Sequence, residues 1–180
     1  MSVQPDQVVR AVVADRDPYS LAIAGLWDIL EQNSRFTALV RPGNRIRFAG
    51  DDRDPIKEDV STSDLPEVRI VVSASTPRAH RTSSSHSDLV RLEIQVSSGD
   101  QRIDAMHLPL KWAVFCAMAD AEPKLRESVV WKGQNIVKLA RAVTVNEGVS
   151  RADLNRGIIG WSAVWAVELE LWFGRTTLDK

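Results

Sequence analysis

The sequence predicts an α+β fold: an antiparallel sheet of four or more strands, one long apolar helix packed on one face of it, and a further helix near the N-terminus. Three observations carry this expectation. Every second residue from 161 to 173 is apolar, Trp161, Ala163, Trp165, Val167, Leu169, Leu171 and Phe173, while the other register holds Ser162, Glu168 and Glu170, the period of a strand covered on one side. Residues 67 to 74 and 90 to 96 repeat that alternation. Between 105 and 119 the only formally charged side chain is Lys111. The apolar residues there point round the whole helical wheel, so a helix in this place must be covered on every side, by the sheet, by the first helix or by a second subunit.

From the N-terminus, Val8, Val9, Val12 and Val13 have helical spacing, but the pattern stops at Asp15-Arg16-Asp17-Pro18, where proline disfavours helical geometry in the residue before it. Residues 1 to 16 are read as an N-terminal extension. Asp17 suits a helix cap and Pro18 a first helical position. Ile23, Leu26, Trp27 and Leu30 then keep one face, so a helix is expected over 18 to 32. Residues 36 to 40 read as a short strand ended by the turn cluster Arg41-Pro42-Gly43-Asn44, with 45 to 49 returning as a hairpin partner. The charged, proline-punctuated stretch from 50 to 66 reads as a surface loop.

The strand over 67 to 74 follows directly after Pro66. Residues 76 to 87 hold six hydroxyl side chains together with Arg78, His80, Arg81 and His86, without an acid or a large apolar group. Such a segment buries too little to offset its ordering entropy and is expected to be a mobile loop at a hairpin tip. The strand over 90 to 96 ends at a turn, Ser97-Ser98-Gly99-Asp100. The apolar helix is expected over 108 to 121, with Pro109 in its first turn. A linking segment leads from Glu122-Pro123 to Trp131-Lys132-Gly133. Residues 136 to 145 return as a strand with Val137, Leu139, Val143 and Val145 on one face, and a polar connection over 146 to 160 precedes the last strand. Thirteen extended residues there reach about 43 Å, slightly more than the roughly 40 Å diameter of a compact chain of this length.

Composition bounds the function. One hundred and eighty residues suit a single domain, 1 to 180, that buries roughly 70% of its unfolded surface. Lys and Arg number 23 against 24 for Asp and Glu, so no net field favours a polyanion or an acidic membrane, and sequence-specific nucleic-acid binding is not expected. Cys116 is the only cysteine, which rules out an internal disulfide and fits a reducing compartment. Neither an apolar stretch of roughly 20 residues nor an export signal is visible, so cytoplasmic synthesis is expected.

Motifs for chemistry are weak. Asp51, Asp52, Asp54, Glu58 and Asp59 lack the order of a calcium loop and are interleaved with Arg53 and Lys57, which fits a solvated loop better than a metal site. His80 and His86 sit in the expected mobile loop and His107 has at helical spacing only Asp104, three residues before it, so surface or partly buried imidazoles are expected. Cys116 lies inside the most apolar helix, where a thiol packs inertly. The chain has no Gly-x-Ser-x-Gly, Walker-type, His-Glu-x-x-His or Gly-x-Gly-x-x-Gly motif. Catalytic, cofactor and metal residues are therefore not assigned, and the chain is not expected to be an enzyme. Partner binding has two candidates. Arg78, His80 and Arg81 make a basic, adaptable loop that is equally well read as an unused hairpin tip. Trp172 sits in the polar register with Glu168 and Glu170, where an outward indole suggests a contact.

The helix from Pro18 to Gln32, the strands Leu65-Pro66-Glu67-Val68-Arg69-Ile70-Val71-Val72 and Leu89 to Val96, the helix from Leu108 to Ala121, and Gly160-Trp161-Ser162-Ala163-Val164-Trp165 running into Val167-Glu168-Leu169-Glu170-Leu171-Trp172-Phe173 together resemble the tail terminator and neck proteins of tailed bacteriophages. The likeness is one of element order and covers about 18 to 173. It implies a structural virion protein, made in the host cytoplasm, that assembles as a ring, commonly a hexamer. Such a ring sits on the end of the tail tube, stops its polymerisation and presents a surface to the head connector. A ring of this kind joins two different faces of identical subunits, for which the long sheet edge and the apolar helix are candidates. A competing expectation is a small-ligand-binding or enzymatic domain with its pocket between helix 108 to 121 and the sheet. A subunit of a phage-derived contractile injection apparatus shares the structural role.

Overall fold

The computed structural model describes residues 17–46, 65–79, 85–100, 105–119, 121–153 and 158–174. The readings of 1 to 16, of most of the loop from 50 to 66, and of 80 to 84 at the hairpin tip lie outside the described residues.

Helix α1, Pro18–Gln32, has the expected bounds and start. The Asp17 carboxylate accepts the Ser20 backbone N–H at 2.8 Å and the Ser20 hydroxyl at 2.5 Å, and Pro18, which has no N–H to leave unsatisfied, opens the first turn. The expected strand over 36 to 40 is instead helix α2, Ser34–Leu39. The side chain of Asn33 accepts the N–H groups of Arg35 and Phe36 at 3.0 and 3.1 Å, which starts a new helix, and Phe36 and Val40, four apart, are both fully buried. After a 3₁₀ turn at Pro42–Asn44 comes strand β1, Arg45–Ile46. Its partner is not a hairpin neighbour, because Arg45 and Ile46 pair in parallel with Val68 and Arg69. Arg45 fixes this corner, donating to the Val40 carbonyl at 2.7 and 3.1 Å beside Glu31 and over the Phe36 ring.

Strands β2, Glu67–Ala79, and β3, Ser85–Asp100, form a much longer hairpin than the alternation announces. They pair from Glu67 opposite Ser97 to Ala79 opposite His86, with a bulge between Val72 and Ala74. Most of the expected mobile loop over 76 to 87 and the expected turn over 97 to 100 are therefore strand. Backbone ladder bonds hold those residues whatever their side chains bury.

The single long apolar helix is corrected to two shorter helices: α3, His107–Met118, and α4, Ala121–Ser128. Proline forbids a helix from running through it, since Pro123 lacks an N–H and its ring would meet the carbonyl four residues back, at Ala119. In the first turn of α4 that defect is harmless. The expected linking segment after Pro123 is thus helical, with Ala121, Leu125 and Val129 buried at four-residue spacing. A hairpin follows, β4, Val130–Trp131, and β5, Gln134–Asn135, joined by Lys132 and Gly133 at φ 47° and 78°, the pair of positive values that a tight hairpin needs.

Strand β6, Val137–Asp153, and strand β7, Ile158–Gly174, complete a five-stranded sheet in the order β1-β2-β3-β7-β6. All neighbours except β1 and β2 are antiparallel, so the expected antiparallel sheet with helices is present. The polar connection over 146 to 160 is mostly strand. Nor do Val137, Leu139, Val143 and Val145 share a face, because β6 shifts register between Val137 and Leu139 and again between Thr144 and Asn146.

The helices cover one face. There β3 contributes Val90, Leu92, Ile94 and Val96, and β7 contributes Ala163, Trp165, Val167, Leu169, Leu171 and Phe173, all buried with Leu26, Trp27 and Leu30 of α1 and Leu110, Ala113 and Val114 of α3. Helix α1 packs on α3 and α4 as well as on α2. Its approach to α4 depends on Gly25, where an added Cβ would lie 2.8 Å from Val129 Cγ2 and 3.1 Å from Leu125 Cδ2. Alanine has the better helix propensity, yet overpacking outweighs it here. Gly25→Ala should lower stability by about 1–2 kcal/mol in urea unfolding. Combined with Val129→Ala, which vacates the contact, it should cost clearly less than the two single changes added together.

Candidate functional site

On the helix-covered face, polar side chains occur at the two ends of an otherwise apolar run of β3. At one end is Asp88, 2% exposed. Its Oδ2 accepts the Tyr19 hydroxyl of α1 at 2.7 Å and the Ser75 hydroxyl of β2 at 2.6 Å. Its Oδ1 is shielded from solvent and has no hydrogen-bond partner among the described residues. The bulge at Ser73 brings Ser75 here, since it moves Ser75 opposite Val90 and onto the covered side. At the other end Ser98 is buried, its hydroxyl 2.9 Å from Nδ1 of the fully buried His107, the first residue of α3. The His107 ring lies 6.0 Å from the Trp161 ring, centroid to centroid. Ten residues of strand, roughly 33 Å, separate the two clusters. They clip the N-terminal turns of α1 and α3 to opposite ends of the sheet.

The Ser98–His107 pair is closed to solvent. A serine hydroxyl on an imidazole is the start of a nucleophilic pair, but Ser98 and His107 are sealed beneath α3, where no substrate reaches the oxygen. Among the described residues, no group of three or more His, Cys, Asp or Glu side chains is placed to hold a metal ion.

The outward side of α3 is different. Trp112 and Phe115 are each 53% exposed and Leu108 is 42% exposed. The two aromatic rings stack on one another, 5.3 Å apart and 20° from parallel. An exposed apolar row of this size on a folded surface marks a contact site more often than chance. The expectation that this helix is covered all round is therefore not met within the described residues: Leu110, Ala113, Val114 and Ala117 are buried, and the opposite side is open.

None of the predicted partner-binding residues lies on α3, and the backbone register sets Arg78 and Trp172 on either side of Ser87. Arg78 lies on β2 opposite Ser87, while His80 and Arg81 lie outside the described residues. Trp172 is on β7 opposite Ser87, on the face away from the helices, and is half-buried there. That face carries Glu67, Arg69, Arg91, Glu93, Gln95, Glu168 and Glu170, with Arg91, Glu168 and Arg141 in one row across β3, β7 and β6. Cys116 is half-buried on α3. No described helix is long and apolar enough to cross a membrane.

Sequence reasoning missed Tyr19, Ser75 and Asp88, and for Asp88 a signal existed: it continues the register of Val90, Leu92, Ile94 and Val96 by one step. Compared with protein-family models and with curated proteins, the chain matches none.

Burial, then the hydrogen bond to Asp88 and its charge, push the Tyr19 phenol above its ordinary value near 10. A group whose folded pKa is raised adds stability that is intact below its unfolded pKa and is lost as pH rises past it. Tyr19→Phe should therefore cost about 1–3 kcal/mol at pH 8, from the lost donor to a buried carboxylate. That deficit should shrink above pH 10, as the wild-type chain alone loses stability. Parallel pH profiles of the two chains in chemical denaturation check both parts.

Proposed function

We propose that this protein is a structural assembly subunit whose work is to associate rather than to transform a substrate. One observation carries the reading: a folded chain leaves Leu108, Trp112 and Phe115 of α3 open to solvent as a continuous apolar row, while its buried polar clusters serve to hold helices to the sheet. Water-facing aromatic rings gain when a partner covers them, and aromatic anchors dominate contact energy.

Within that class, the order of helix, hairpin, helices and closing long hairpin supports the likeness to phage tail terminator and neck proteins. In this reading the protein forms a ring, of six subunits in the common case, at the end of a tail tube in the virion. The ring ends tube growth and joins it to the head connector, with the tube protein and connector proteins as partners. The basic segment around Arg78, His80 and Arg81 and the indole of Trp172 are then candidates for the contact with tube or connector. Neither a cofactor nor catalysis is required.

Negative-stain images and sedimentation of the purified full chain should show closed rings, and the rings should bind the end of purified tail tubes. A chain that stays monomeric at high concentration and leaves tube length unchanged would end this proposal. A pocket beneath α3 would instead give thermal shifts with a metabolite and metal panel and no ring.

A further inference from the structure

Resting on the reading of the chain as an assembly subunit, though not on the ring, we infer that the open side of α3 is occupied by α3 of a second copy, the two helices running antiparallel about a two-fold axis between Trp112 and Phe115. The spacing is the first reason. Leu108, Trp112, Phe115 and Ala119 follow one another at intervals of four, three and four, the a/d seam by which helices interlock as knobs and holes. All four are exposed. Such a seam takes a helix with the same spacing, and α3 is itself one.

The pairing also matches in size, and it sets few charges against one another. About that axis, Trp112 of each copy meets Phe115 of the other, and Leu108 meets the small Ala119, so large faces small at the ends and ring meets ring in the middle. The only charged side chain between 105 and 119 is Lys111. The axis sets the two copies of it about 7 Å apart along the helices, from the rise per residue, beside the seam and not within it. An almost uncharged strip offers nothing to a strongly acidic or basic partner, whereas its own image suits it.

Area fixes the strength. Two aromatic side chains of roughly 150–250 Å² each, half exposed, together with Leu108, present on the order of 300 Å² of apolar surface. Two copies then cover about 600 Å². At the usual apolar share this corresponds to about 1,000 Å² in total, the lower bound for a biological contact. The pair is therefore reversible. By itself it closes at two copies, and in a larger assembly it sets subunits in pairs.

Sedimentation of the full chain over a wide concentration range tests this, with Trp112→Lys as the seam variant and Val130→Lys, at another exposed apolar residue, as the control. Trp112→Lys should weaken association about 100-fold, as expected for an aromatic anchor, with an unchanged circular dichroism spectrum, and Val130→Lys should leave it unaltered. Because Trp112→Lys can disturb α3, a second chain carries Leu108→Cys and Ala119→Cys with Cys116→Ser. A short bismaleimide should couple it into covalent dimers, since the two thiols of one helix lie about 16 Å apart, out of reach of each other. Association that persists undiminished in Trp112→Lys, or dimers no more abundant in the double-cysteine chain than in either single-cysteine chain, overturns the α3 contact and leaves the assembly reading standing. A wild-type chain that is monomeric throughout overturns both.

Discussion

The two-sidedness of β7 is the constraint on which the remaining structure depends. This strand is paired along both edges, with β3 from Gly174 to Ile159 and with β6 from Leu171 to Ile158. One register, from Ala163 to Phe173, is almost wholly apolar, and the other carries Glu168 and Glu170. A slip of one residue would turn every tryptophan and leucine of the buried set toward solvent and drive the carboxylates into the core. The pairing of three strands is thereby fixed at once, and the helices have one face on which to pack.

The helical layer is held to that face at its margins. Between Asp88 and Ser98, β3 offers only aliphatic side chains to α1 and α3, which give adhesion without direction. Direction comes from the Tyr19 hydroxyl on Asp88 and from the His107 ring on Ser98, each placing the N-terminal turn of one helix at one end of the sheet. The cost of burying those groups is offset in part by the hydrogen bonds they form, which for Asp88 all reach Oδ2. Residues 72 to 77 of β2, which lead up to the first clip from the inner side, are exposed, and the strands run on past the clip to Ala79 and Ser85.

What the residues disclose in advance follows the range of the forces involved. Helix α1 was legible because its cap, its first-turn proline and its apolar spacing are all local, and the cores of β2, β3 and β7 because alternation is local too. Their full lengths were not. Ser85 to Ser87 and Ser97 to Asp100 are strand because a neighbouring backbone pairs with them, a contact that no window of sequence contains. The register shifts in β6 defeated a face assignment that assumed unbroken alternation. Helix α2 was hidden because Phe36 and Val40 fit either period until the cap at Asn33 is known. The open side of α3 was half legible: the excess of apolar residues was plain, but which of them the sheet and α1 would cover depends on the orientation of the helix.

The irregularity of β6 bears on how such a chain behaves when crowded. It is an outer strand, 17 residues long, with register shifts near its start, middle and end. Each bulge twists the strand and spoils the even row of free N–H and carbonyl groups that a stray strand would need as a template. Fibril growth from that flank is thus discouraged by the backbone itself, and the aromatic side chains of α3 can be offered to water without inviting runaway aggregation along the sheet.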